Sequence, residues 1–133
     1  MTFTLALTLF GLLTILLLMV EVSYTYLYFG TAFGWSSNRP VNAERSPLGI
    51  RIQRTFQNHV ETAAYAVPVL GVAAISGLDH GGAQIAALIF IIGRVLFAPL
   101  YYTGIPFIRL PAWGAGWISI AYIGAVLLMS GNL

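Results

Sequence analysis

The sequence predicts an all-α integral membrane protein, a four-helix transmembrane bundle in a single domain. Three observations carry that prediction. Of the 133 residues, 59% are hydrophobic and only 8% charged, with a mean hydropathy of +0.86. A soluble domain carries about 25% charged residues, so this chain lacks the charge to cover a water-facing surface. Four mostly apolar stretches are each long enough to cross a bilayer core about 30 Å thick. Most of the remaining charges gather around the first connection and along one helix face. A soluble enzyme is excluded, and so is disorder, which requires few apolar residues and high net charge. A net charge of +2 is small for a nucleic-acid binder, and with no cysteine there is no disulfide, thiolate metal site or cysteine nucleophile.

The first span is expected from about residue 3 to 29 and holds one charge, Glu21. Its N-terminus lacks the basic region of a cleavable leader, so it is expected to remain as a membrane helix. A polar connection rich in Asn, Arg and Pro follows. The second span, about residues 50–78, has a charged, amphipathic first half and an apolar second half. Asp79-His80-Gly81-Gly82 reads as a tight turn in which Asp79 can cap the next helix. The third span covers about residues 83–103. The fourth covers about 111–131, with Pro111 suited to its first turn. Arg39, Arg45 and Arg51 lie at the first connection and Arg109 at the third. With four spans these connections share one side, which the positive-inside rule assigns to the cytoplasm. Both termini are then expected on the non-cytoplasmic side.

Ionisable side chains inside a bilayer are costly and by default suggest a functional site. On the second span, Arg51, Arg54, Asn58, Glu61 and Tyr65 project within an arc of about 80° at 100° per residue. The stripe reads either as a polar seam between helices or as the wall of a site. Arg94, Phe97 and Tyr101 form a second stripe on the third span. Glu21, Glu61 and Arg94 fall at a similar depth, roughly 12–15 Å from the cytoplasmic ends at 1.5 Å per residue. A structural ion pair of Arg94 with Glu21, Glu61 or both is therefore expected. His59 points away from the polar stripe and His80 lies in a turn, so no metal site is expected.

Arg54-Thr55-Phe56-Gln57-Asn58-His59-Val60-Glu61 resembles the R-x-x-x-N-x-x-E signature of the MAPEG family, membrane-associated proteins in eicosanoid and glutathione metabolism. Gly93-Arg94 with Tyr101, and Ile108-Arg109-Leu110-Pro111 before the last span, extend the resemblance, which is to bacterial-type members. It implies a homotrimer in a bacterial inner membrane, with glutathione as co-substrate bound between subunits near the cytoplasmic side. The implied activity is that of a glutathione transferase or peroxidase acting on lipophilic small-molecule electrophiles. Arg54, Asn58, Glu61 and Tyr101, with Arg51, match or adjoin the tripeptide-binding positions, and Arg109 resembles the arginine that stabilises the thiolate. A second reading is a non-catalytic, MAPEG-like subunit of a larger membrane complex. It draws on Gln57, where some members have another basic residue, and Trp113, where the prostaglandin synthase has a tyrosine.

Overall fold

Four long helices and one short one make up the computed structural model, which describes residues 1–131 and 133. Helix α1 (Phe3–Tyr24) starts at Thr2, whose hydroxyl accepts from the Leu5 amide at 3.2 Å, and continues as a π-helical turn over Thr25–Phe29. Gly30, at φ 89°, breaks it and leads into the short α2 (Thr31–Trp35). Ser46 then caps α3 (Pro47–Ile75), accepting from the Gly49 amide at 3.1 Å, with Pro47 in the first turn where its missing N–H costs nothing. The Tyr24 hydroxyl accepts from the Ser46 amide at 3.0 Å, and its ring lies against Gly49, where a Cβ would collide with it. The end of α1 and the start of α3 are thereby clasped together.

Helix α3 ends in paired bonds from Leu78 N to Ala73 O and from Gly77 N to Ala74 O, with Gly77 left-handed at φ 66° and Leu78 buried. This is the Schellman termination, for which glycine carries no Cβ penalty. His80, rather than the expected Asp79, caps α4 (Gly81–Tyr102): its Nδ1 accepts from Ala83 N at 3.1 Å. Asp79 instead accepts from the Gln84 side chain at 3.4 Å. Helix α5 (Leu110–Ser130) opens with Pro111 in its first turn.

The interior is divided along its length. Near the termini and the α3–α4 turn it is apolar, built from Phe3, Phe10, Leu70, Phe90, Ile123 and their neighbours. Toward the other end it turns polar, with Thr55, His59, Thr62 and Arg94 fully buried. Helices α4 and α5 approach closely at Gly93, where a Cβ would stand 2.9 Å from the Ala112 carbonyl oxygen. The outer faces carry exposed Leu, Ile, Val and Met side chains, as lipid contact requires.

Three helical stretches are long and apolar enough to cross a membrane: Phe3–Phe29, Gly81–Tyr102 and Leu110–Ser130. With four spans expected, α3 is the exception. It has the length, at 29 residues, but Arg51, Arg54 and Glu61 lower its apolar character. The chain is an integral membrane protein whose third helix brings polar groups into the bundle.

Candidate functional site

The polar half opens on one flank into a cleft of about 470 Å³. Arg54, Asn58 and Glu61 reach it from α3, Tyr101 from α4 and Arg109 from the start of α5, while Phe97 and Trp113 supply apolar wall. Spacings of four and three residues place the α3 side chains on adjoining turns of one face. The same geometry sets Phe97 beside Tyr101, with ring centroids 5.5 Å apart and the planes tilted by 58°. The Arg109 guanidinium lies 4.3 Å from the centroid of the Tyr101 ring, a cation–π contact that holds it at the mouth. The loop that presents Arg109 contains two left-handed residues, Gly104 (φ 73°) and Phe107 (φ 70°). The second is uncommon for a bulky side chain. Glu61 accepts from the Gln57 side chain at 3.2 Å and remains exposed, as does Arg54. Two arginines against one glutamate make the cleft net positive, suited to a ligand with two anionic groups and one cationic group.

Arg51 departs from expectation. It shares the α3 stripe, but its Nε donates to the Tyr102 carbonyl at 3.1 Å, and it packs by Gly104 instead of lining the cleft. Sitting a full turn nearer the helix start than Arg54, it meets the end of α4 first and satisfies a carbonyl left open there.

The expected pairing of Arg94 with Glu21 or Glu61 is also corrected. Arg94 Nη1 donates to Asn58 Oδ1 at 3.0 Å and Nη2 to His59 Nδ1 at 3.4 Å. Glu21 pairs with Arg45 at 2.6 Å. Matching depth was insufficient because azimuth differs. On α3, Asn58 and His59 flank a direction about 110° from Glu61, at 100° per residue. Arg45 folds down from the first loop onto α1 and reaches Glu21 instead. His59, set aside on sequence, is the residue that was missed. It is fully buried, stacks on Phe10 at 4.2 Å and bonds Thr14 Oγ1 at 2.8 Å. A histidine on the far side of a polar stripe in a membrane helix needs a buried partner, and that signal was present.

A second cleft of about 640 Å³ lies between the end of α1 and the first loop, walled by Glu21, Tyr26, Arg39, Arg45 and Gln53. Though larger, it holds none of the expected ligand residues. The α3–α4–α5 cleft brings together groups from three helices that are distant in sequence, and it is the better candidate. Among the described residues, no three His, Asp or Glu side chains come together as a metal site requires.

The family model of the MAPEG family matches residues 2–129, nearly the whole chain. The chain belongs to the MAPEG family. No curated protein and no solved structure matches it. The MAPEG family includes glutathione transferases and peroxidases among other members. In this MAPEG chain the signature residues Arg54, Asn58 and Glu61 stand together on the cleft wall, opposite Tyr101 and Arg109.

Proposed function

We propose that the protein is a glutathione-dependent membrane transferase or peroxidase acting on lipophilic electrophiles. One observation supports this reading above the rest: Arg54, Asn58, Glu61, Tyr101 and Arg109 line one cleft. Glutathione carries two carboxylates, one ammonium and one thiol. Arg54 takes a carboxylate, for which a guanidinium offers paired donors, and Glu61 takes the ammonium. Tyr101 contacts the peptide and orients Arg109. Arg109 stands beside the sulfur, where a cation lowers a thiol pKa from about 8.5 and raises the thiolate fraction. The thiolate attacks the electrophile delivered from the bilayer.

The exposure of Arg54 and Glu61 on the flank of one protomer supports a homotrimer. Charges at membrane depth do not face lipid, so a neighbouring copy covers this flank and closes the site. We further place the protein in a bacterial inner membrane, with both termini on the non-cytoplasmic side.

The test is glutathione titrated with pH while thiolate absorbance is followed, in wild type and Arg109→Ala. The bound thiol should ionise at lower pH in wild type, and kcat should fall about a hundredfold in the variant with a smaller change in binding. Arg54→Ala should chiefly raise KM. Identical ionisation in both proteins removes Arg109 from catalysis. A wild type that binds no glutathione and purifies within a large assembly supports the structural-subunit reading.

A further inference from the structure

Asn58 differs from the other polar residues of the cleft in having its orientation dictated from behind. A side-chain amide offers one acceptor oxygen and one donor nitrogen. Its Oδ1 receives Arg94 Nη1 at 3.0 Å. A guanidinium can only donate, so the oxygen must face the bundle interior. The Nδ2 group then faces the cleft, where it has no partner among the described residues.

Arg94 is itself locked in place. It is 1% exposed, with its guanidinium 4.8 Å from the Phe97 ring centroid. Its Nη2 donates to His59 Nδ1, which assigns the imidazole proton to Nε2, and Nε2 donates to Thr14 Oγ1 at 2.8 Å. The Thr14 hydroxyl in turn donates to the Phe10 carbonyl at 2.8 Å. Every link in this chain points the same way, from α4 through α3 to α1. Among the described residues no carboxylate lies within ion-pair distance of Arg94. A buried cation without a counter-ion is costly, and its hydrogen-bond partner Asn58 is a lining residue of the cleft.

We propose that Arg94 is a positioning residue: it fixes Asn58 as an obligate donor and, with its unmatched charge behind, makes that point of the cleft select a ligand carboxylate. The inference rests on the glutathione reading and deepens it. The peptide carboxylate gripped by Arg54 also receives Asn58 Nδ2, one turn along the same face, while the ammonium lies farther on at Glu61.

Asn58→Asp separates this from a merely structural role. The aspartate keeps the interior oxygen and gains an ion pair with Arg94, but presents an acceptor to the cleft. Its melting temperature in detergent should equal or exceed that of wild type, while Asn58→Leu should melt lower. Glutathione affinity of Asn58→Asp should nevertheless fall about tenfold or more, seen as a raised KM with kcat at saturation little changed. Arg94→Gln, which frees the Asn58 amide to flip, should raise KM in the same way, and Arg94→Lys should restore part of the loss. An Asn58→Asp protein that is stable and binds glutathione as wild type does overturns the proposal and leaves the glutathione reading standing. One that melts as low as Asn58→Leu overturns it as well, since the Arg94 contact is then absent. If wild type binds no glutathione, the proposed function falls, and the melting comparison still decides the Arg94–Asn58 arrangement.

Discussion

Glu21 and Arg45 form an ion pair at 2.6 Å, each side chain about 15% exposed, with Glu21 Oε2 and Arg45 Nη1 left without partners. Removing one member of such a pair strands the other charge. Glu21→Gln is therefore expected to lower stability by about 3 kcal/mol, measured by thermal unfolding in detergent. The double variant Glu21→Gln/Arg45→Gln should lose less than the sum of the two single changes. At this scale the sequence was partly legible. Helical periodicity places Arg54, Asn58 and Glu61 on one face of α3, and the family resemblance joins Tyr101 and Arg109 to them; all five line one cleft. Partnerships were not legible. That Arg94 meets Asn58 and His59 and not an acid depends on how α3 and α4 are rotated against each other, and on a loop that carries Arg45 back to Glu21 on α1. Neither quantity is encoded in spacing along one helix.

Among the elements, the tightest fit is between α4 and α5 at Gly93. A methyl group there would meet the Ala112 carbonyl at 2.9 Å and the Ala115 Cβ at 3.3 Å. A backbone carbonyl cannot turn aside as a side chain can, so Gly93→Ala should push the helices apart and cost about 1–3 kcal/mol. Thermal unfolding checks the cost, and a change in Arg109 reactivity would show that the shift reaches the cleft. Long apolar runs made the helices legible from sequence, whereas their ends were less so. Helix α3 begins at Pro47 because Ser46 caps it, and it stops before Gly77 because a left-handed residue is needed there. The π-helical turn at Thr25–Phe29 left no mark in the pattern. Around it Tyr24 stacks on Tyr28 at 5.1 Å, and Phe29 stacks on Phe33 of α2 at 4.4 Å across the Gly30 break.

For the molecule as a whole, the arginines give an orientation that can be tested. Arg51 reaches the Tyr102 carbonyl and the N-terminal amine reaches the Gln84 carbonyl. The first and third connections therefore share one end, and the N-terminus and the α3–α4 turn share the other. Cysteines introduced by Asn42→Cys and Asp79→Cys should accordingly react from opposite sides of the membrane, with position 42 cytoplasmic. Reaction of both from the cytoplasm would exclude this topology. Cross-linking in native membranes should trap three copies and no more.

The polarity of α3 also governs how the chain is made. Glu61 stands at the middle of this 29-residue helix, where a charged side chain adds about 3 kcal/mol to the cost of entering lipid from the translocation machinery. Helix α1 has the length and hydropathy of a span, as do the closely packed α4 and α5, whereas α3 has the length alone. Biogenesis is therefore expected to run out of sequence order, with α3 waiting at the membrane surface until the later hairpin offers Arg94 as a partner for Asn58 and His59. A nascent chain halted after residue 80 should leave α3 outside the bilayer in a glycosylation-mapping assay, and extension through α5 should draw it across.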